Sequence, residues 1–177
     1  QDQRRLVDIA FSGNGEPTSA KEFPQAIRLV AETMTRRSLL PQVCLRLITN
    51  GSLVDRRDVR SGLTLLSQHA GEVWFKVDAV GDDITKRING VRLNADTVER
   101  RLRLCGELCS TWVQTCLFAY DGNLPTDEEI GRLLALLERC RDSIRGVHLY
   151  GLARPSAQPK AGHLARAPDA WLHEVGK

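Results

Sequence analysis

The sequence predicts an α/β fold in which about five parallel strands alternate with helices and form part of a barrel. Five short segments with alternating apolar and polar residues are separated by helical patterns, an order typical of βαβ units. One face of these strands is apolar and the other polar, which suits a barrel with a polar interior better than a sheet covered on both faces. The polar face carries Asp8, Ser12, Lys76, Asp78, Gln114, His148 and Tyr150. A complete eight-unit barrel needs about 250 residues, so the 177 residues predict an incomplete one.

The first half of the chain is predicted to contain three strands and two helices. Alternating residues place the strands at 6–12, 43–49 and 72–79. The first helix is expected to start near Pro24, and its apolar stripe includes Met34, which is therefore assigned to core packing. The second helix is expected over residues 55–70, with Gly71 as its C-cap.

The second half is predicted to hold further strands and helices in the same alternation. Asn94 is expected to cap a helix with an apolar stripe. Thr126 and Glu129 form a capping-box pattern ahead of the next helix. The strands are placed at 112–118 and 146–151. A tail rich in proline and alanine follows, in which a last helix is expected over residues 168–175.

Composition indicates an ordinary globular protein, with 42% apolar and 27% charged residues. No run of about eighteen apolar residues occurs, so a membrane span is not expected. The net charge of +3 is too small to indicate a nucleic-acid partner by itself, and the arginine doublets are assigned to solvated helix faces. Five cysteines without a secretory pattern predict reduced thiols and a cytoplasmic location. Because the chain does not begin with methionine, we expect it to be cut from a longer protein or processed at its start.

A glycine-rich motif follows the first predicted strand and reads Phe-Ser-Gly-Asn-Gly-Glu-Pro-Thr over residues 11–18. Its two glycines let the backbone approach a ligand closely, and its proline stiffens the turn. The carboxylate of Glu16 can accept hydrogen bonds from an ammonium group. A tight strand-to-helix turn is the structural alternative. A dinucleotide-binding fingerprint is excluded, because Pro17 and Thr18 stand where a third glycine would open the helix.

With this motif the sequence resembles the radical S-adenosylmethionine (radical SAM) enzymes, whose glycine-glycine-glutamate-proline motif ends the second barrel strand. The resemblance continues in the family's order over residues 13–18, 48–51, 75–79, 87–89, 114–115, 123–130, 149–150 and 154–155. It is closest to the iron-sulfur oxidoreductases that include the wybutosine-synthesis tRNA enzymes and the glycyl-radical-activating enzymes. The resemblance implies a fragment of a partial (β/α)6 TIM-like barrel. Residues 1–156 would then hold its second to sixth strands, and residues 157–177 the C-terminal tail or last helix.

The resemblance also implies S-adenosyl-L-methionine as the cofactor. In the family the motif holds the amino group of the methionine moiety, a role that falls to Glu16 here. Lys76 and Asp78 would reach the methionine carboxylate and the ribose or ammonium. The implied cofactor-binding residues are Gly13, Asn14, Gly15, Glu16, Pro17, Lys76, Asp78 and, on the adenosine side, Asn50, Gln114 and Tyr150. His148 and Asp8 are assigned to structural polar contacts inside the barrel.

The family reaction needs a 4Fe-4S cluster held by three cysteines with the spacing CxxxCxxC. Cys105 and Cys109 match the first spacing, but six residues rather than two separate Cys109 from Cys116. The first two cysteines also belong to an apolar helix stripe, which explains them as core packing. We therefore assign no metal ligand and no catalytic residue in this chain, and expect the cluster cysteines upstream of Gln1. The isolated chain is predicted to be inactive.

For the full-length protein, the resemblance implies an oxidoreductase or activating-type enzyme. Such an enzyme cleaves S-adenosylmethionine reductively to a 5′-deoxyadenosyl radical, which abstracts hydrogen from a substrate. The implied partners are an electron donor such as flavodoxin or ferredoxin and a tRNA or protein substrate, with no membrane. One alternative is a cluster-free module that binds S-adenosylmethionine or a nucleotide. The other is an unrelated barrel enzyme that uses Glu16, Lys76 and Asp78 for acid–base or aldol chemistry.

Overall fold

The computed structural model describes residues 5–13, 15–89, 94–153 and 161–177. The strands are β1 (Asp8–Phe11), β2 (Cys44–Thr49), β3 (Glu72–Lys76), β4 (Ser110–Tyr120), β5 (Val147–Gly151) and β6 (Leu164–Arg166). The helices are α1 (Phe23–Arg36), α2 (Arg57–Gln68), α3 (Asp82–Asn89), α4 (Ala95–Leu108), α5 (Asp127–Arg139) and α6 (Asp169–Val175). Short 3-10 turns lie at Pro17–Ser19, Arg141–Ser143 and Ala161–His163. No helix in these ranges is long and apolar enough to cross a membrane.

Strands β1 to β5 form an open, curled sheet, a half barrel, in which spatial order follows chain order. The neighbouring pairs from β1 to β5 are all parallel, and at least one helix connects each strand to the next. The predicted alternation of parallel strands and helices is therefore confirmed for this part of the chain. The expectation of a purely parallel sheet is wrong, because β6 pairs antiparallel with the end of β4 and places Ala165 opposite Ala119. With three residues, β6 is too short to show an alternating pattern.

Helix α3 is a second element that the sequence pattern does not predict. Its eight residues contain two isoleucines, Ile84 and Ile88, so the four-residue spacing of an apolar stripe occurs only once within the helix. An apolar helical stripe becomes recognisable over about 11 or more residues. A helix of eight residues is too short to give this periodic signal. The helix lies between β3 and α4 and borders the carboxyl edge of the sheet.

Alternation along the strands separates a convex and a concave face. Apolar residues of the convex face are buried against the helices, among them Leu45, Leu47, Val73, Phe75, Val113 and Leu117. Half-buried residues of the concave face include Asp8, Cys44, Arg46, Trp74, Gln114, Cys116, His148 and Tyr150. The pattern of period two therefore assigned the strand faces correctly, and the polar residues line the inside of the half barrel.

The helices cover the convex face with their apolar stripes. Met34 of α1 is 1% exposed, which confirms its assignment to the core. Arg100 and Arg101 of α4 bind Asp55, which lies just before α2, so this arginine doublet ties two helices together. Hydrogen bonds from these two arginines hold the pKa of Asp55 well below its ordinary value. This doublet therefore has a partner within the fold.

The predicted helix caps are confirmed at α4 and α5. Thr126 and Glu129 form both hydrogen bonds of a capping box at α5. The Asn94 side chain accepts hydrogen bonds from the backbone N–H groups of Asp96 and Thr97 at the start of α4. Both helices thus begin with their first free N–H groups satisfied.

Replacing Asn94 with alanine is expected to lower the free energy of unfolding by about 1 kcal/mol, since two N–H groups of α4 lose their acceptor. Urea denaturation followed by circular dichroism measures the change. Asn94→Ser is the matched control, because serine caps helices nearly as well and should stay within a few tenths of a kcal/mol of wild type. Equal losses for alanine and serine would contradict the capping role.

The C-cap of α2 is His69, two residues before the predicted Gly71. Ala70, with φ of 53°, takes the left-handed conformation that was expected at Gly71. Gly71 is required for a different reason, because a Cβ atom there would lie 2.5 Å from Leu66 Cδ1 and 2.7 Å from the carbonyl oxygen of Leu45. The glycine therefore allows the close approach of α2 to β2 and does not supply an unusual φ angle.

Candidate functional site

The residues predicted to bind a cofactor lie at the carboxyl edge of the half barrel and on its concave face. Glu16 and Asn50 follow the ends of β1 and β2, while Lys76 ends β3. Strand pairing places Gln114 beside Lys76 and Tyr150 beside Cys116. In parallel sheets this edge gathers functional groups from several strands. The structure thus brings the predicted residues of all five strands to one region.

Glu16 joins the ends of two strands. Its Oε1 atom accepts hydrogen bonds from the Thr18 hydroxyl at 2.7 Å, the Thr18 backbone N–H at 3.2 Å and the Thr49 hydroxyl at 2.6 Å. Its Oε2 atom accepts one, from the Asn50 backbone N–H at 2.8 Å. Both threonine side chains are buried. The carboxylate therefore braces the β1 and β2 ends, and Oε2 retains capacity for one more donor.

Asn50 and Gly51 form the turn predicted after β2. The Asn50 Oδ1 atom accepts a hydrogen bond from the Ser52 N–H at 2.9 Å, which shapes the turn. Gly51 has φ of 69°, and a Cβ atom there would lie 2.1 Å from Cζ of Phe75. Only glycine fits this position, because both the backbone angle and the aromatic ring exclude a side chain. The turn holds the Asn50 N–H against Glu16.

The glycine loop after β1 leaves space in front of its backbone. Among the described residues, and apart from each glycine's chain neighbours, no atom lies within 4 Å of the position that a Cβ atom would take at Gly13 or Gly15. Together with Ser12, Glu16 and Pro17, these glycines line an open depression. The fold places no neighbouring atoms against Gly15, so the close approach of a ligand is compatible with this loop. Asn14, also predicted to bind the cofactor, lies outside the described residues.

Asp78 is the second carboxylate of the edge. Its Oδ1 atom accepts a hydrogen bond from the Cys116 backbone N–H at 2.9 Å. Burial raises the pKa of Asp78, and the Lys76 ammonium and this hydrogen bond offset burial only in part. Burial, followed by the charges of Asp78 and Cys116, raises the pKa of Tyr150, which therefore stays a phenol at neutral pH. Asp78, Cys116 and Tyr150 thus form one electrostatic group.

Lys76 supplies positive charge to this group. It is exposed, and it forms no hydrogen bond or ion pair with another side chain in the described part of the protein. The charge of Lys76 lowers the pKa values of Asp78 and Cys116, in opposition to burial, which raises both. An edge that carries this cation and the carboxylates of Glu16 and Asp78 is suited to a zwitterionic ligand, because each charge of the ligand can meet an opposite charge.

Below this edge, Arg46 connects three side chains of the concave face. Its guanidinium binds both Asp8 and Glu72, the latter at 2.6 Å, and lies 4.7 Å from the centre of the Trp74 ring. Asp8 thus makes a structural contact, as predicted. His148 was expected to be hydrogen-bonded, whereas in the described residues it stacks on Trp112 and contacts Trp74, with ring centres 4.7 and 4.6 Å apart.

Thr18, Thr49 and Arg46 make contacts at the candidate site and on the concave face that the sequence analysis did not assign. Thr18 and Thr49 follow or precede predicted site residues directly, so their hydroxyl groups were the available signal. Arg46 alternates with Leu45 and Leu47 in a predicted strand, which placed its charge on the polar face. Their partners depend on which strands become neighbours.

The cysteines do not suit an iron-sulfur cluster. No group of three His, Cys, Asp or Glu side chains within the described ranges is placed to hold a metal ion. Burial is the main cause that raises the pKa of all five thiols, to about 11 for Cys44 and Cys116. Because a 4Fe-4S cluster needs several cysteine ligands at one place, the residues that the structure describes do not fit one.

Comparison with known proteins adds no assignment at this point. No protein-family model matches the chain, and no curated protein matches it. The functional argument therefore depends on the geometry of the concave face and its carboxyl edge.

Proposed function

We propose that the chain binds S-adenosylmethionine at the carboxyl edge of its half barrel, as the cofactor-binding part of a radical SAM-type fold. One observation carries the proposal: Glu16, after β1, and Lys76 with Asp78, at the end of β3, lie at the same edge of the sheet. Their charges alternate in sign, and S-adenosylmethionine carries an ammonium, a carboxylate and a sulfonium. Ligands of open parallel sheets bind at this edge.

The methionine end of the ligand matches the loop after β1. The free capacity of Glu16 Oε2 suits its ammonium, and the open space at Gly13 and Gly15 admits it to the backbone. Lys76, with no other side-chain partner in the described ranges, suits the carboxylate. Pro17 begins the 3-10 turn that fixes Glu16. These residues bind and orient the ligand without any rearrangement of the fold.

The adenosine end matches the β3–β5 side of the edge. Asp78 can accept hydrogen bonds from ribose hydroxyl groups through its free oxygen, Oδ2. Tyr150 remains protonated and offers a hydroxyl donor. Gln114 has a buried amide oxygen without a partner among the described residues, which suits an amino group. Asn50 uses its amide oxygen in the turn, and its exposed side chain keeps two amide N–H groups that can donate to the ligand.

Radical chemistry is proposed only for a protein that supplies three further cluster cysteines, because the described residues do not fit a 4Fe-4S cluster. For this chain we propose binding and orientation of S-adenosylmethionine, and derive no redox step. When bound, S-adenosylmethionine supplies an adenosyl group activated by its sulfonium. The fold supplies the charges that hold it and the concave wall that shields it from water.

Isothermal titration of S-adenosylmethionine into the protein tests the proposal. Lys76→Met is expected to weaken binding roughly tenfold, about 1.4 kcal/mol, since a charge-assisted hydrogen bond to the carboxylate is lost. Lys86→Met is the matched control, because Lys86 is an exposed lysine of α3. Methylthioadenosine lacks the amino-acid end and should bind wild type and Lys76→Met equally.

Two outcomes would contradict the proposed function. Wild type that shows no heat of binding with millimolar S-adenosylmethionine would exclude the site. Equal weakening by Lys76→Met and Lys86→Met would show that only net charge matters and not the position at the end of β3.

A further inference from the structure

The middle of the concave face carries an aromatic layer, which we define as Trp74, Trp112 and His148. The His148 ring is stacked on Trp112 with an angle of 16° between the planes and is tilted by 52° against Trp74. Arg46 lies over Trp74 and is already bound to Asp8 and Glu72. The layer is therefore half-buried, and its cation is neutralised by the protein itself.

Two polar atoms next to this layer lack partners. The indole Nε1 of Trp74 and the amide Oε1 of Gln114 are buried, and neither has a hydrogen bond to any described residue. Trp112 differs, because its indole Nε1 is not among the buried polar atoms that lack a partner in the described ranges. A buried donor or acceptor without a partner destabilises a fold, so the Trp74 and Gln114 groups are exceptions that need an explanation.

Strand register places these two groups close together. Trp74 pairs with Trp112, and Lys76 pairs with Gln114, so Trp74 and Gln114 occupy diagonal positions on the same face of β3 and β4. His148 adjoins both, through its pairing with Gln114 and its ring contact with Trp74. One group is a donor and the other an acceptor, yet they do not bond to each other. A ligand that accepts from the indole and donates to the amide satisfies both.

We propose that Trp74 and Gln114 bind the edge of a neutral planar ring that carries a hydrogen-bond acceptor next to an N–H donor. The aromatic layer favours a flat ring, because stacked and tilted aromatic contacts add to the hydrogen bonds. A charged ring is disfavoured, since Asp8 and Glu72 already neutralise the cation of the layer. The ring has two sources, the adenine of S-adenosylmethionine or a separate substrate. The first case rests on the proposed function, and the second does not.

Indole N–H resonances in nitrogen-15 NMR spectra test this proposal. The chain has three tryptophans, which Trp→Phe variants at positions 74, 112 and 171 assign. S-adenosylmethionine is titrated first, and uracil is then added to the saturated protein. A shift of the Trp74 resonance by S-adenosylmethionine identifies adenine as the ring. A shift by uracil alone identifies a separate substrate. Trp171 of α6, which packs against the apolar core, provides the unshifted reference.

Matched variants and ligands separate recognition from nonspecific stacking. Gln114→Leu is expected to weaken the responding ligand about tenfold, whereas Gln114→Glu keeps an acceptor oxygen and should weaken it less. Adenosine is compared with N6,N6-dimethyladenosine, and uracil with 1,3-dimethyluracil, because the methylated forms lack the donor hydrogen. The methylated ligands should leave the Trp74 resonance unshifted.

Three results would overturn the proposal. They are an unshifted Trp74 resonance with every probe at millimolar concentration, equal shifts by methylated and unmethylated rings, and full affinity in Gln114→Leu. The first result would mean that a bound water bridges the two groups. If S-adenosylmethionine gives no heat of binding while uracil shifts Trp74, the proposed function fails and this site stands. If S-adenosylmethionine binds but no probe shifts the Trp74 resonance, the proposed function stands and this site fails.

Discussion

Alanine in place of Glu16 is expected to lower the free energy of unfolding by about 3 kcal/mol, since four hydrogen-bond donors lose their acceptor. Two are hydroxyl groups on Thr18 and Thr49, which are 0% and 1% exposed and have no water to replace the carboxylate. The other two are backbone N–H groups of Thr18 and Asn50. The β1 and β2 ends would also lose the contact that joins them. Urea denaturation measures the loss, with an unchanged slope.

Glu16→Gln and the Thr49 variants are the controls for this prediction. Glutamine keeps one acceptor oxygen but turns its amide hydrogens toward the Asn50 N–H, so we expect about half of the alanine loss. Thr49→Ser keeps the hydroxyl group and should be close to wild type, while Thr49→Val should destabilise. A Glu16→Ala protein as stable as wild type would contradict the bracing role and leave Glu16 as a ligand contact only.

The bracing role shows where sequence reasoning stops. The motif over residues 11–18 identified Glu16, because glycines and proline around a carboxylate are a local pattern. Its partners at Thr49 and Asn50 lie 33 and 34 residues further along and meet it only because β2 pairs with β1. No local pattern encodes this pairing. Glu16 was therefore predictable as a site residue, and the contacts that hold its carboxylate in place were not.

Strand faces were the most predictable feature, and strand partners the least. Alternation placed Lys76 and Asp78 on one face, since successive side chains of a strand point to opposite sides. The same rule put Arg46 on the polar face, but its two partners come from the strands on either side. The different environments of Trp74 and Trp112 have the same origin. Both face the inside, and only register decides that Trp74 meets Arg46 while Trp112 stacks on His148.

Short elements escaped prediction for a related reason. Strand β6 exists because the end of β4 extends beyond its parallel neighbours and offers free hydrogen-bonding groups to residues 164–166. Tyr120 of β4 stacks on His163, with ring centres 5.5 Å apart, and so adds a side-chain contact to this pairing. Tertiary context therefore stabilises a strand that three residues alone do not indicate.

Methionine in place of Arg46 is expected to lower the free energy of unfolding at neutral pH by about 2 to 3 kcal/mol. Arg46 neutralises Asp8 and Glu72, and its removal leaves two uncompensated carboxylates on the concave face. The side chains of Arg46, Asp8 and Glu72 are 22%, 31% and 18% exposed, so the effect is smaller than for a fully buried network. Methionine preserves much of the packing on Trp74, and urea denaturation measures the loss.

The pH dependence distinguishes lost charge pairing from lost packing. Burial raises the pKa of Glu72, but hydrogen bonding to Arg46 and the charge of Arg46 prevail, so its pKa lies below 4.5 in wild type. The stability from this pair is therefore present above about pH 4.5 and is lost as the pH falls through the lowered pKa. Without Arg46, burial prevails and raises the pKa of Glu72. As the pH falls, Glu72 is therefore protonated at a higher pH in the variant than in wild type, which removes its uncompensated charge. The difference between wild type and Arg46→Met should shrink between about pH 7 and pH 4. Arg46→Met with Glu72→Gln should recover part of the loss at pH 7, whereas a pH-independent difference that Glu72→Gln does not reduce would assign the effect to packing.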